Sequence, residues 1–205
     1  MAIECGKLAM GIIGKDCDNP LVMGLKGEVI LFNQSDIDWT ETTVIDGIIT
    51  NLVLVENAYA YKAEMLDKTT TANIALVKGA YANGWDQNLT LRILDISPTV
   101  KKFIQQLSDS KVVAIVKNNY TKANAAATTK GITTYEAYGF YTGLELNENT
   151  RDSEDADTKG GYVVTLGCNE NVKEPTLPIT VFKTNLATTE TMINGLLESA
   201  GGGDI

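Results

Sequence analysis

Short runs of alternating or continuous apolar residues recur along the chain from residue 28 onwards, and such runs are typical of β-strands. In the predicted strand at residues 88–96, Leu89, Leu91 and Ile93 share one face, and Thr90 and Arg92 lie on the other. Residues 28–33 form a short, almost continuously apolar run, which is the pattern of a buried strand. The remaining predicted strands cover residues 42–55, 58–65, 74–77, 111–116, 134–146, 161–168 and 179–183.

Two segments have helical periodicity instead. Ser97 is a suitable N-cap and Pro98 a suitable first helical residue, so a helix is predicted over residues 98–108, lying on a sheet. A second helix is predicted near the C-terminus, with Thr188 or Thr189 as its cap and residues 201–203, all glycine, as its end. The apolar stripes are Val100, Phe103, Ile104 and Leu107 in the first helix and Met192, Ile193, Leu196 and Leu197 in the second.

The segments between these elements define the domain organisation. Residues 1–27 hold many Gly, Asp and Asn residues, which predicts an extended arm ahead of one β-rich domain at residues 28–205. Asp46-Gly47 separates two β-branched runs and indicates a hairpin. Residues 117–133 and 147–159 lack periodicity and are predicted to be long loops. These features favour a mainly β fold: a sandwich or barrel with one flanking helix and a short C-terminal helix.

Composition narrows the chemistry that this fold could support. The 205 residues carry a formal net charge of −9 and include no histidine. The negative charge disfavours a specific grip on nucleic acid, because it repels phosphate, although DNA could still pass along such a surface. The absence of histidine excludes Ser-His-Asp and Cys-His catalytic systems and histidine-based metal sites. We therefore expect neither an enzyme nor a bound cofactor.

The cysteines indicate the folding compartment. Cys5, Cys17 and Cys168 are too few and too widely spaced for a disulfide scaffold or a four-cysteine metal site. We expect reduced thiols from a cytosolic compartment, with a Cys5–Cys17 bridge as the open alternative. The N-terminus lacks the pattern of a signal peptide, and no apolar run reaches the length of a membrane span, so no membrane insertion is expected.

The acidic segment within residues 147–159 is the best candidate for a functional loop. An EF-hand loop starting at Asp155 would place Lys159 and Leu166 at positions where calcium requires oxygen ligands, so no metal site is predicted. A solvated charge run is the simplest interpretation. The alternative is that the loop faces a channel or a neighbouring subunit. The candidate contact residues are Asp152, Glu154, Asp155 and Asp157.

Two further groups of residues were considered for ligand chemistry. Asp36, Asp38 and Glu41 could be proposed as paired carboxylates, but any acidic protein offers such pairs, and both aspartates are better explained as turn formers. Aromatic residues on several strands could line a sugar or ligand groove, but packing in the core or between subunits is the more common role. These residues are Tyr59, Tyr61, Trp85, Tyr138 and Tyr141.

The opening of the chain contains three segments of note: Gly14-Lys15-Asp16-Cys17-Asp18-Asn19-Pro20, residues 27–33 and Asp36-Ile37-Asp38. In these segments the chain resembles virion structural proteins of bacteriophages that infect Bacteroidetes-type hosts. The predicted architecture is similar to that of phage tail tube proteins, in its N-terminal arm, its helix between strands and its long loop at residues 117–133.

The resemblance implies a function in assembly. Members of the tail tube family stack as hexameric rings into a hollow tube, through which DNA passes as transient cargo. The expected partners are copies of the chain itself and other virion proteins, and the expected location is the phage tail, after synthesis in the host cytoplasm. The alternatives are a capsid-associated or head–tail connector protein and a β-sandwich module that binds carbohydrate or another ligand.

Overall fold

The computed structural model describes residues 11–12, 16–66, 69–79, 83–126 and 128–197. Residues 1–10 and 13–15 of the predicted arm lie outside the described residues. The two helices are α1 (Pro98–Ser108) and α2 (Leu186–Asn194). The strands are β1 (Leu25–Asn33), β2 (Thr43–Ile45), β3 (Ile48–Asn51), β4 (Tyr61–Glu64), β5 (Thr71–Lys78), β6 (Asn83–Ile93), β7 (Val112–Asn118), β8 (Tyr135–Tyr138), β9 (Glu145–Thr150), β10 (Tyr162–Gly167) and β11 (Ile179–Val181).

The strands form two sheets, and the fold is mainly β, as predicted. The larger sheet has seven strands in the order β2-β3-β11-β8-β7-β1-β4, and the smaller has four in the order β5-β6-β10-β9. Within the described residues all pairs are antiparallel except β11 with β3. The arrangement is consistent with a β-sandwich with flanking helices.

The core between the two sheets follows from strand alternation. Val29 and Leu31 of β1 point towards the smaller sheet, where Leu89 and Leu91 of β6 face them in one apolar cluster. Because side chains alternate along a strand, the residues between them point to the opposite face of the larger sheet. The continuous apolar run of β1 therefore serves two cores, which is why the run shows no alternation.

The second core covers the outer face of the larger sheet. Ile30 and Phe32 of β1 pack there with Ile193 and Leu196, which belong to α2 and the turn that follows it. Residues between β1 and β4, including Ile37, complete this cover. Burial on both faces explains why the central strands consist of apolar residues at almost every position.

Helix α1 has the bounds that the sequence predicts. The Ser97 hydroxyl accepts a hydrogen bond from the Val100 amide (3.4 Å), and Pro98 occupies the first turn. Ile104 and Leu107 are buried in the cluster between the sheets, and Val100 and Phe103 pack against it. The helix thus closes one end of the gap between the two sheets.

Helix α2 differs from the prediction at both ends. Asn185 is the N-cap, and Thr188 is the partner in a capping box rather than the cap itself. The helix ends at Asn194 with Gly195 at the C-cap, so glycines 201–203 do not end it. A cap at Asn185 satisfies two amide groups at once, which a cap at Thr188 or Thr189 alone would not.

The strands within residues 134–150 also differ from the prediction, whereas a predicted hairpin agrees with it. The strand predicted over residues 134–146 is split into β8 and β9 by a turn in which Gly139 and Gly143 have positive φ (66° and 79°). Residues 147–150, predicted as loop, belong to β9, because residues 148–150 pair with Val163–Thr165 in β10 and Asn147 lies at the register shift between them and Leu146. The hairpin at Asp46-Gly47 is confirmed, since both residues have positive φ (50° and 76°) between β2 and β3.

Candidate assembly surfaces

The acidic loop joins β9 to β10 and is organised by its own carboxylates. Asp152 accepts a hydrogen bond from the amide of Glu154 (2.9 Å). Asp155 accepts from the amide of Asp157 and from the Thr158 hydroxyl (both 2.9 Å), and these bonds, that of Asp157 first, hold the pKa of Asp155 below its ordinary value. Asp152, Glu154 and Asp157 are exposed and Asp155 is half-buried. The loop therefore presents a fixed negative surface to the solvent.

Contacts at the base of the acidic loop hold it against the smaller sheet. The Arg151 side chain donates to the carbonyl of Gly160 (2.9 Å), and its guanidinium lies 5.8 Å from the centre of the Tyr162 ring. In the part of the chain that the structure describes, no three acidic, cysteine or histidine side chains converge as metal ligands. The four predicted contact residues lie in this one loop, where they present negative charge.

Strand β5 is an edge strand whose side chains lack a covering layer among the described residues. It forms the end of the smaller sheet, pairs along its whole length with β6, and has all eight residues exposed. Ile74 and Leu76 are 38% and 47% exposed, and Val77 is 38% exposed. Exposed apolar edge strands are templates for pairing with another chain, and folded proteins ordinarily blunt or cover them.

The direction of the backbone groups on β5 follows from its neighbours. Trp85 exchanges both backbone hydrogen bonds with Glu174, and the carbonyl of Gln87 accepts from the amide of Cys168. The backbone N–H and C=O groups of these odd-numbered β6 residues therefore face away from β5. Because these groups alternate along a strand, those of the even-numbered β6 residues face β5. The outward-facing N–H and C=O groups of β5 are those of the even-numbered residues 72–78.

The side chains of β5 extend the inner face of the smaller sheet beyond the larger one. Ala72 is opposite Leu89 and Ile74 is opposite Gln87, so both point to the face that carries the core between the sheets. Leu89 is fully buried there, whereas Ile74 and Leu76 are not. Within the described ranges this inner face continues without a covering layer beside an open strand edge, and such a surface is suited to a second protein chain.

The aromatic residues considered as a ligand platform are spread over the fold. Tyr138 is buried between the sheets, and Trp85 is half-buried on β6. Tyr59 and Tyr61 are exposed at β4, on the opposite edge of the larger sheet from the β2–β3 hairpin. Tyr141 lies in the turn between β8 and β9. The five rings therefore do not line one groove.

A separate aromatic patch was missed by the sequence reasoning. Trp39 stacks on Tyr141 with the ring centres 6.1 Å apart and the planes 9° apart, and Phe140 lies beneath both. Trp39 and Tyr141 are partly exposed. Trp39 and Tyr141 are 102 positions apart in the sequence, so no local pattern connects them. Rigid, partly exposed Trp and Tyr side chains are common at the centres of protein interfaces.

The remaining acidic candidates have local roles. Asp38 accepts from the amide and hydroxyl of Thr40 (2.9 and 2.6 Å), and these hydrogen bonds lower the pKa of its carboxyl group. Asp36 accepts from the side chain of Asn33 (2.9 Å). Both are turn formers, as the sequence suggested, and neither faces a cleft.

One cluster of titratable groups resembles a catalytic arrangement in its composition. The Lys117 amine and the Tyr135 hydroxyl both contact one carboxylate oxygen of Glu190, at 3.1 and 3.2 Å. Burial acts to lower the pKa of Lys117, but its hydrogen bonds to Tyr135 and Glu190 outweigh that effect and raise the pKa. Burial raises the pKa of Tyr135. General bases need a pKa near the working pH, so these shifts favour a structural cluster.

A buried carboxylate was also not foreseen. Glu174, only 1% exposed, accepts hydrogen bonds from the amides of Tyr141 and Thr142 and from the Thr142 hydroxyl, at 2.7–3.0 Å from one oxygen. Its backbone pairs with Trp85. The connections β8 to β9 and β10 to β11 both cross between the sheets, and Glu174 joins them.

No family model, curated protein or solved structure matches this chain. Among the described residues, no helix combines the length and the apolar character that crossing a bilayer requires.

Proposed function

We propose that this chain is a structural subunit that assembles with copies of itself, and more specifically a tail tube subunit of a bacteriophage. The observation that carries the proposal is β5, a fully exposed edge strand whose inner-face side chains have no covering layer among the described residues. The fold class agrees with the one that the resemblance implies. The proposal includes stacked rings that form a conduit for DNA, with other virion proteins as neighbours.

The geometry of the smaller sheet supports a head-to-tail contact. Strand β5 ends the sheet on one side and β9 ends it on the other. Pairing β5 of one copy with β9 of the next would continue the sheet from subunit to subunit and use a different surface on each partner. Such heterologous contacts close into a ring when the rotation per subunit allows. The wall of the ring would then be made from these sheets.

The charge of the molecule fits a conduit that DNA passes without binding. The net charge is −9, and the acidic loop between β9 and β10 adds exposed Asp152, Glu154 and Asp157 at one end of the smaller sheet. A negative surface repels the phosphate backbone and keeps the on-rate and affinity for DNA low. In the proposed assembly this loop lies at the lumen or at the contact between rings.

Negative-stain electron microscopy of the purified protein, together with its mass in solution, tests the proposal. The wild-type chain is expected to form rings or hollow tubes of uniform bore. Replacing Ile74 and Leu76 together by Lys places two charges on the uncovered face of β5 and is expected to leave monomers of 22.1 kDa. Wild-type protein that stays monomeric up to millimolar concentration would contradict self-assembly.

A matched control separates edge pairing from a general effect of added charge. Val172 and Leu177 are 48% and 50% exposed, close to the exposure of Ile74 and Leu76, and lie outside β5. Lysine at both positions should leave assembly intact. A second variant, Leu76→Pro, removes an N–H that faces outward and is not used for pairing with β6, so the hairpin should survive while assembly fails. Normal tubes from either β5 variant would refute the role of this edge.

The form of the assembly also separates the tail tube from its structural alternatives. A capsid-associated or connector protein would form single closed rings or would bind to preformed particles without stacking. Continuous tubes, and their loss on deletion of residues 152–159, would favour the tail tube. Tubes that persist after this deletion would show that the acidic loop is not needed for the contact between rings.

A further inference from the structure

The last residues before β1 form an arm, here residues 16–24, that is fixed to the loop after β7. The buried Asn19 side chain accepts a hydrogen bond from the amide of Asn124 (2.8 Å). The side chain of Asn124 donates in turn to the carbonyl of Asp18 (2.9 Å). At the other end, the amide of Asn119 donates to the carbonyl of Gly24 (3.1 Å). Polar contacts therefore hold the arm at both ends.

Between these anchors, the arm presents apolar side chains to the solvent. Leu21, Val22 and Met23 are 81%, 52% and 91% exposed. Isolated exposed apolar residues are ordinary, but three consecutive ones on a segment anchored by its polar residues invert the usual arrangement. The arm is thus positioned to offer a short apolar strand to another surface.

A groove of about 1100 Å³ lies between α1, β4 and the end of β6; we call it the α1–β4 groove. Met65, Leu66, Leu94, Val100 and Phe103 provide apolar parts of its wall. No described residue of the arm lines it.

One wall of the groove is an open strand edge. The amide of Met65 donates to the carbonyl of Gly27 in β1, and the amide of Ala60 donates to Leu196 on the opposite side. Since backbone groups alternate, those of Lys62 and Glu64 face away from β1. Within the described ranges these groups have no backbone partner. An apolar groove beside such an edge fits an extended apolar peptide better than a compact ligand.

We propose that residues 21–23 of one copy dock as a strand in the α1–β4 groove of a second copy. This inference rests on the proposed self-assembly. The arm is fastened to the loop after β7, and none of its described residues lines the groove of its own chain, so docking in that groove would require these hydrogen bonds to break. Each copy has one arm and one groove, which gives a head-to-tail contact that repeats.

The area involved fits a contact that works together with the β5 edge. Three largely exposed apolar side chains bury on the order of 400 Å² per copy, about half of the roughly 800 Å² per partner in a stable interface. The arm contact by itself is therefore weak. Strand pairing at β5 would have to supply the remaining area of a stable contact.

Peptide binding tests the docking separately from assembly. The probe is a fluorescein-labelled peptide with the sequence of residues 18–25, and the acceptor is the full chain carrying Leu21→Asp and Met23→Asp, whose own arm is disabled. We expect saturable binding with a Kd of roughly 10–100 µM. Adding Leu66→Asp to the acceptor should weaken binding at least tenfold, because Leu66 lines the groove and is exposed enough for the fold to tolerate the change. Adding Leu177→Asp instead should change Kd less than twofold.

Backbone methylation tests whether the peptide adds to the β4 edge. Two peptides are compared, one N-methylated at Val22 and the other at Leu21 and Met23. Only one of the two sets of amides faces β4, so one peptide should lose at least tenfold in affinity and the other should bind normally. Equal binding by both methylated peptides, an unchanged Kd with Leu66→Asp, or no binding at 1 mM would each overturn the proposal.

Cross-linking in the assembled protein identifies which copy supplies the arm. With Cys17→Ser to remove an exposed thiol, one chain carries Met23→Cys and a second carries Leu66→Cys. A disulfide between the two chains is expected, whereas a bond that forms only within a doubly substituted chain would overturn the proposal. If wild-type tubes form and the Leu21→Asp, Met23→Asp variant assembles equally well, this inference fails and the proposed function stands. Peptide binding by a chain that never assembles would support the docking and overturn the proposed function.

Discussion

Removal of the buried Glu174 side chain is expected to destabilise the fold. Three donors converge on one carboxylate oxygen: the amides of Tyr141 and Thr142 and the Thr142 hydroxyl. In Glu174→Ala the hydroxyl can rotate towards another acceptor, but the two amides lose their acceptor in a partly buried turn. Each unsatisfied amide costs about 1–2 kcal/mol, so we expect a total loss of about 2–4 kcal/mol in the free energy of unfolding.

The glutamine variant distinguishes the contribution of charge from that of shape. In Glu174→Gln the amide oxygen can take the position that accepts all three hydrogen bonds. Only the charge-assisted part of those bonds is then lost. The substitution also creates one poor contact, because the new NH₂ group replaces the second oxygen, which lies 3.3 Å from the Tyr141 amide nitrogen. We expect a loss of about 1 kcal/mol, well below that of the alanine variant.

Urea unfolding followed by circular dichroism measures both losses. With a slope of about 2–3 kcal/mol/M, a loss of about 3 kcal/mol lowers the midpoint by roughly 1 M. Glu170→Ala, at an exposed position four residues earlier, is the control and should move the midpoint by less than about 0.2 M. A Glu174→Ala midpoint within that range, or a glutamine variant less stable than the alanine variant, would refute the assignment of Glu174 as the link between the two connections.

Two further predictions concern buried groups elsewhere in the core. The Thr134 hydroxyl is buried without a hydrogen-bond partner among the described residues, so Thr134→Val should leave stability unchanged or raise it by up to about 1 kcal/mol in thermal unfolding. Thr189 is equally buried, but its hydroxyl has two hydrogen-bond partners, so Thr189→Val should lower the free energy of unfolding by about 1–2 kcal/mol. A Thr134→Val variant less stable than Thr189→Val would contradict this account. Burial raises the pKa of the Cys168 thiol, whereas Cys17 is exposed. Iodoacetamide at pH 8 should therefore label Cys168 at least about a hundredfold more slowly than Cys17, as measured by peptide mass spectrometry. Comparable rates in the folded protein would show that the packing around Cys168 opens readily.

The sequence predicted elements whose cause is local. The N-cap at Ser97 and the apolar stripe that follows it determine α1, and the positive φ that Asp46-Gly47 accepts determines the β2–β3 hairpin. These signals lie within a few residues of the structure they produce, and tertiary contacts did not override them.

The features that sequence reasoning missed depend on distant partners. Residues 147–150 are polar and resemble a loop, but the free edge of β10 makes them a strand. The prediction of a single strand over residues 134–146 was wrong for the same reason, because the two halves of this segment pair in different sheets. Trp39 on Tyr141 and Asn19 on Asn124 join residues about a hundred positions apart. The acidic loop was located correctly only from residue 151 onwards. The exposure of β5 could not be inferred, because residues 74–77 have the composition of a buried strand.

The burial of β1 on both faces has a consequence for synthesis on the ribosome. One neighbour of β1 in the larger sheet is β7, which begins about 80 residues later in the chain. At bacterial elongation rates of about 5–20 residues per second, the apolar segment Val29-Ile30-Leu31-Phe32 waits roughly 4–16 seconds for that neighbour. During this interval β1 is a ready nucleus for aggregation between nascent chains on the same message. A ribosome-associated chaperone that shields this segment should therefore raise the soluble yield more than a chaperone that acts on the completed chain.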